Sequence, residues 1–444
     1  MDINEIKSRA NEAIESQKAR LIGMGQDLYQ MPETGFRERR SSAYMEDFLS
    51  GLGLTVQNEI ALTGLKATAR GASDDFTVAV CGELDALLMP DHPNADPVTG
   101  AAHVCGHHSQ LTMVAGVALG LVETGLIKEL DGNLSFLVVP AEEIIELEYR
   151  ADLVRQGKIK YFGGKQNFIH YGAMDDIDCV LCSHLTTVPE AYFDYGKHYN
   201  GVVTKEIRFH GKSAHSALSP HLAVNALHAA IAAINNINAL RERFRDEDHV
   251  RVHYIITKGG HSVNIIPDEV CVEMGVRAAN LQALSETNRL VNEAIAAGAA
   301  GVGARATIID YGGYLPFTQN EAMSLLFAEN AGALVGPERV EDTRSLMRAS
   351  STDAGDFSSM LPTIHPNFGG ARGNVHSNDF EVADEYLAYV LPAKAYAMTV
   401  IDLLWNQAEK GKAIRNSFEP DFKNRQEYDK FSEKLIRGIF EDQE

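Results

Sequence analysis

No stretch of this 444-residue chain runs to about 18 apolar residues, so a membrane span is not expected. The N-terminus, MDINEIKSRANEAIESQKARLIG, has no apolar core followed by a small-residue cleavage site, so no secretory signal is expected either. Cysteine is scarce: five residues, an odd number, do not make a disulfide framework. A reduced, cytoplasmic setting is the expectation. Cations are also in short supply. Lys plus Arg is 40 against 61 Asp plus Glu, a net charge of −21. That charge repels phosphate backbones and anionic lipid, so neither nucleic acid nor membrane is expected as a partner. Internal repeats and low-complexity linkers are missing. What remains is ordinary for a globular protein, with 45% hydrophobic and 23% charged residues. The length exceeds what one core usually serves, which points to two domains.

Residues 1–50 read as two helices around a turn at 31–35. Apolar β-branched runs then recur at 76–81, 133–139 and 179–182, separated by helical stretches such as 111–121. That alternation predicts an α/β sheet covered on both faces. Each run ends in chemistry: Asp85 after the first, Glu142 and Glu143 after the second, His184 after the third. Ligand groups gather at the carboxyl ends of strands in such sheets. The pattern changes near Tyr199. Strand-like 202–209, helical 222–240, strand-like 250–256 and 269–277, helical 284–298 and strand-like 304–310 follow in order. This is a ferredoxin-like α+β unit, inserted in a larger domain. The expected division is 1–199 and 313–444 for the larger domain, with charged C-terminal helices, and 200–312 for the insert.

The densest chemistry lies at His103-Val104-Cys105-Gly106-His107-His108. A thiolate beside imidazoles suits a borderline-soft divalent ion, and Gly106 lets the backbone turn between them. The plain alternative is a buried cysteine next to loop histidines. Glu142 and Glu143 are adjacent at a strand end. In extended backbone they point to opposite sides, so one can bind metal while the other moves protons. A solvated acidic turn is the competing reading. Cys179-x-x-Cys182 has a redox-like spacing, but in a strand its thiols face opposite ways and are expected to pack in the core. His376 sits in a glycine-rich stretch, 369–377. By itself it reads as an ordinary loop histidine.

Together these segments resemble the aminoacylase/carboxypeptidase-G family of metallohydrolases, and within it the amidohydrolase branch acting on hippurate, auxin conjugates or aminobenzoyl-glutamate. The resemblance rests on GELDAL (82–87), HVCGH (103–107), PAEE (140–143), SHL (183–185), GKSAHS (211–216), NIIPDEV (264–270), GVRA (275–278), STDAGDFS (351–358) and VHSNDF (375–380), in family order over about two thirds of the chain. It implies a zinc-peptidase-like catalytic domain with a mixed sheet flanked by helices, and an inserted lid and dimerisation domain. It also implies two divalent metal ions: Cys105 bridging them, Glu143 and His376 completing one site, His107 and His184 the other. Glu142 would be the general base and acid, and Asp85 would orient a ligand. His215 would stabilise the oxyanion, often from a partner subunit. Asn264 and Arg277 would hold a substrate carboxylate. Zinc follows from ligand softness; manganese is common in the branch and cobalt substitutes.

Three departures concern the substrate. His108 stands where the family usually has Asp or Asn, and is taken as a pocket residue. Glu83 stands where many relatives have His or Asp. The 144–170 segment is longer than usual and is expected near the active-site mouth. The leading expectation is a homodimeric amidohydrolase acting on a small carboxylate-bearing molecule, an N-acyl amino acid or aminobenzoyl-type conjugate. The alternatives are an aminohydrolase releasing ammonia from an aromatic amine, a metallodipeptidase or carboxypeptidase, and a non-catalytic homologue.

Overall fold

A computed structural model describes residues 2–187 and 191–438. Its first sheet holds six strands. Val56–Ile60 (β1), Gly64–Arg70 (β2), Thr77–Glu83 (β3), Asn133–Val139 (β4) and Cys179–Leu181 (β5) join the short strand Thr363–Ile364. Their spatial order is β1-β2-β4-β3-β5 and then Thr363–Ile364. β1, β2 and β4 pair antiparallel, while β4, β3, β5 and the last strand run parallel. Every residue of β3 and β4 is buried. Strands covered on both faces need no polar side, which is why these runs carry apolar residues almost without a break.

The side chains divide cleanly between two cores. Val78, Val80, Leu134, Phe136, Val138 and Leu181 join a core with the N-terminal helix Ile3–Ser16 (α1), the helix His107–Ala118 (α2) and the long C-terminal helix. Ala79, Cys81, Leu137, Val139 and Val180 face the other way, onto the helix Gly164–His170 (α3) and Phe357. Cys179 belongs to the first core and Cys182 to the second, both buried, as their strand spacing requires. The helical stretch Tyr386–Ser417 is long and apolar enough to cross a membrane, which the sequence reading did not anticipate. Most of it is packed inside the fold, at 89% of its most apolar window, so it serves as a core helix.

The second sheet is antiparallel throughout. Gly201–His210 (β6), Arg251–Lys258 (β7), Glu269–Ala278 (β8) and Arg305–Gly312 (β9) lie in the order β7-β8-β6-β9. The helices Ala226–Ala239 (α4) and Leu281–Gly301 (α5) cover one face, against Ile207, Phe209, Val272, Val276 and Ile308. This is the expected ferredoxin-like order. One addition was not foreseen: Ile436–Arg437 pairs with β9, so the end of the chain crosses back to this sheet. Residues 439–444 of the expected charged tail lie outside the described residues.

Candidate metal centre

The ends of β3, β4 and β5 converge beside the N-terminus of α2. Gly106 precedes that helix with φ of +90°, a left-handed conformation. A Cβ there would lie 2.8 Å from Leu185 Cβ, so both backbone and space call for glycine. The turn lets Cys105 and His107 face one point. Cys105 Sγ lies 3.1 Å from His184 Nε2 and 3.4 Å from His376 Nε2. His376 Nε2 lies 2.8 Å from Glu143 Oε1. Cys105 therefore belongs to two triads, Cys105–His107–His184 and Cys105–Glu143–His376, each with ligand atoms within 4.8 Å of one another.

Orphaned atoms test whether this donor set fits metal. His107 Nε2 and Glu143 Oε1 are buried and lack a correctly directed hydrogen bond, although Glu83 Oε2 and His376 Nε2 stand 3.1 and 2.8 Å away. Buried polar atoms are rarely left so. Atoms that crowd together without hydrogen bonding suit a shared cation. One sulfur, three imidazoles and a carboxylate suit a pair of borderline-soft divalent ions.

The supporting contacts fix the donors. His107 Nδ1 lies 2.8 Å from the Asp85 carbonyl and 3.2 Å from Asp85 Oδ1, which turns Nε2 toward the triad. Asp85 Oδ2 also accepts from the Glu143 backbone N–H at 2.8 Å. Burial works against the Asp85 charge, but the bonds to His107 and Glu143 win and hold its carboxyl below the usual range. Burial pushes His184 down to about 4, keeping its imidazole neutral as a ligand must be. Glu142 is also buried. That burial, with the charges of Glu83 and Glu143, pushes its carboxyl well above the usual range. Ala141, at φ of +53°, turns the chain just before it. Glu143 joins the Cys105–His376 triad, while Glu142 groups with Glu83 and His107.

A cavity of about 670 Å³ opens from this cluster, a size suited to a small ligand. Cys105, Glu142, Glu143, His184 and His376 line it, together with Arg277, Arg348 and Ser351. Val202, Thr204 and Arg277 come from the second sheet, so the cavity lies between the two sheets.

The other expected site residues scatter. His215 and Asn264 are exposed and do not line this cavity; His215 Nδ1 caps its own turn, accepting from the N–H groups of Ala217 and Leu218. Arg277 does line it. His108 departs from expectation. It is fully buried, packed against Tyr29, His103 and Tyr389 with ring centroids 4.9, 5.1 and 5.8 Å apart, and is not among the cavity-lining residues. The physical reason is helical: one residue on from His107, a side chain turns by about 100°.

The 144–170 segment also differs from expectation. Apart from Ile144 it does not line the cavity. Two of its cations reach beneath the site instead. Arg150, buried, donates to the backbone carbonyls of Phe162 and Glu143. Lys165, fully buried in α3, bonds Glu83 and Asp353. Burial opposes the Glu83 charge, but Lys165 and then His107 keep it ionised, well below the usual range. Sequence reasoning missed Lys165 because it lies 82 residues from Glu83 and 188 from Asp353. The one signal was a lysine opening a helix after two glycines.

Comparison with known proteins matches this arrangement. A family model described as a peptidase dimerisation domain fits residues 199–302. The chain is 27% identical over 434 residues to a human Xaa-Arg dipeptidase, covering 94% of this chain and 93% of that protein. It is 27% identical over 337 residues to an N-acetylcysteine deacetylase of Bacillus subtilis, covering 73% and 82%. The structure of the Bacillus subtilis YXEP protein, described as a dinuclear metal binding peptidase from the M20 family, superposes with a TM-score of 0.66. It is 22% identical, and the match covers 88% of this chain and 99% of that one. With relatives spanning nearly the whole chain, this protein is a metal-dependent hydrolase of amide C–N bonds that carries a peptidase dimerisation domain and is similar in fold to a dinuclear metal binding peptidase of the M20 family.

Proposed function

We propose that the chain hydrolyses the amide bond of an N-acyl amino acid or aminobenzoyl-type conjugate at a centre where Cys105, His107, Glu143, His184 and His376 would hold two divalent ions. The carrying observation is the single Cys105 sulfur shared by two ligand triads beside a buried, separate carboxylate, Glu142. In this reading His107 and His184 hold one ion, and Glu143 and His376 the other. When bound, such a pair supplies Lewis acidity to a carbonyl and acidifies water. Zinc fits the thiolate and imidazoles, with manganese or cobalt as replacements.

The side chains do the rest. Glu142 takes the proton from the attacking water at its carboxylate and returns it to the departing nitrogen. A carboxyl whose affinity for protons is raised by burial suits both halves of that shuttle. Tyr314 donates its hydroxyl to the Glu142 carbonyl and so fixes the backbone there. Asp85 holds the His107 ring in register. Arg277, half-buried and bonded among the described residues only to Ser351 Oγ, at 2.6 Å, receives the substrate carboxylate.

His215 and Asn264 enter this reading through a second subunit. β7 is an open edge of the second sheet, with Ile255 60% and Ile256 44% exposed, and Ile231 on α4 is 45% exposed. An apolar edge of that kind is usually covered, and a homodimer through residues 200–312 covers it. Its partner then presents His215 and Asn264 to this cavity. The free thiols fit a cytoplasmic setting.

The test pairs metal analysis with turnover. The purified protein is expected to bind two equivalents of divalent metal and to release free amino acid from a panel of N-acyl amino acids. Glu142→Ala is expected to keep the metal and lose hydrolysis by about 10²- to 10⁴-fold. Unchanged hydrolysis in that variant would sink the mechanism. Release of ammonia alone would point to aminohydrolysis, and cleavage confined to unblocked dipeptides to a dipeptidase.

A further inference from the structure

Besides the candidate metal ligands, the cavity wall carries more positive charge than one substrate carboxylate needs. Arg277 on β8 and Arg348 on the short strand Met347–Arg348 both line it. Among the described residues neither arginine forms an ion pair. Arg277 bonds only the Ser351 hydroxyl, and its burial without a carboxylate nearby lowers its pKa from the ordinary value. Arg348 is held in place by its backbone: its carbonyl accepts from Asn200 N–H at 3.0 Å, and its strand pairs with His198–Tyr199.

The third cation of the wall, Lys197, is different. Its ammonium bonds Asp194 at 2.5 Å, and Asp194 also accepts from Asn367 N–H at 3.2 Å. That charge is therefore spent within the protein. Among the described residues the only carboxylates lining the cavity are Glu142 and Glu143, both members of the candidate ligand groups. Ser350, Ser351, Thr352 and Asn367 supply neutral polar groups around the two arginines. A guanidinium in a cleft with no acidic partner is an unfilled carboxylate receptor.

Resting on the hydrolase reading above, we infer that Arg348 forms a second carboxylate subsite, so that the preferred substrate is the N-acyl derivative of an acidic amino acid. Arg277 receives the α-carboxylate and Arg348 the side-chain carboxylate. A basic residue at the same place would meet two like charges and, among the described residues, no lining carboxylate besides Glu142 and Glu143. The chain therefore departs in specificity from the Xaa-Arg dipeptidase it resembles over most of its length.

The test is a selectivity ratio. kcat/KM is measured for N-acetyl-glutamate, -aspartate, -glutamine, -leucine and -lysine with the metal-loaded, full-length enzyme. Glutamate is expected to exceed its uncharged isostere glutamine by about tenfold to a hundredfold, mainly through KM. Arg348→Gln is expected to collapse that ratio toward one, Arg348→Lys to keep part of it, and Arg348→Glu to shift preference toward N-acetyl-lysine. A wild-type enzyme that cleaves neutral substrates as well as acidic ones overturns the subsite while leaving the hydrolase reading intact. So does an Arg348→Gln enzyme with an unchanged ratio. If no N-acyl amino acid is cleaved at all, the hydrolase reading falls, and calorimetric binding decides the subsite. Tighter binding of N-acetyl-glutamate than N-acetyl-glutamine, lost in Arg348→Gln, supports it. Equal binding overturns it.

Discussion

Two groups of buried carboxylates lie within one site and are neutralised in opposite ways. Glu83 and Asp353 receive a cation from the chain itself, Lys165, which has no exposed surface. Glu143 and Glu142 have no lysine or arginine partner among the described residues, and face the cavity beside three imidazoles and a thiol, His376 lying 2.8 Å from Glu143. A third solution is seen at Asp356. Burial first, offset by the Tyr428 hydroxyl at 2.6 Å, pushes its carboxyl up to about 8, so it stays protonated. The difference is instructive. Where the chain supplies the counter-charge the region is structural; where it leaves the charge open, the region is built for something from outside.

That contrast breaks most visibly on chelation. Stripping divalent ions should abolish hydrolysis, by more than about 10³-fold, and restoring them should recover it. Circular dichroism should change little, because the Lys165 network needs no ion. Unfolding on chelation would mean the two regions are not independent.

Lys165→Met attacks the self-neutralised side. It leaves two carboxylates buried without a partner, at a cost of about 3–5 kcal/mol in stability measured by denaturant unfolding. A loss below 1 kcal/mol would show that water or a metal already serves these groups.

Asp356 gives the pH signature. Its folded pKa, about 8, lies above the unfolded value near 3.9. The folded state thus holds a proton that the unfolded state has lost between those values. The stabilising contribution is complete below about pH 4 and declines as pH rises toward 8. Asp356→Asn should flatten that part of the stability–pH curve. An unaltered slope would place the proton elsewhere.

The smallest effect is expected at His108. His108→Phe fills a pocket already made of Tyr29, His103 and Tyr389, so metal content should stay the same and kcat/KM should change by less than about threefold. A larger loss would return this residue to the substrate.

The strand ends were legible in the sequence because their runs are apolar on both faces and stop at charged residues. Asp85, Glu142 and Glu143 could be put at strand ends from that alone, whereas the role of His184 as a ligand rested mainly on the resemblance. The alternation along 202–310 gave the second sheet in the same way. His376 could not be placed so: it lies 271 residues from Cys105, in a loop at φ of +62° whose N–H bonds the Val104 carbonyl. Only the resemblance placed it. The roles of Lys165 and Arg150 were invisible for the same reason, since a surface cation and a buried one look alike until distant segments meet. His108 was misread because adjacency in a motif is not adjacency on a helix.

Cys105 carries one last consequence. Most bridging positions in two-ion sites could be filled by a carboxylate, which oxidants ignore. A sulfur shared by both triads makes them fail together: oxidation of that one atom past the sulfenic stage removes a donor from each, irreversibly. Two successive oxidations by peroxide, thiol to sulfenic acid and sulfenic to sulfinic acid, should therefore silence both triads together, the first reversibly and the second not.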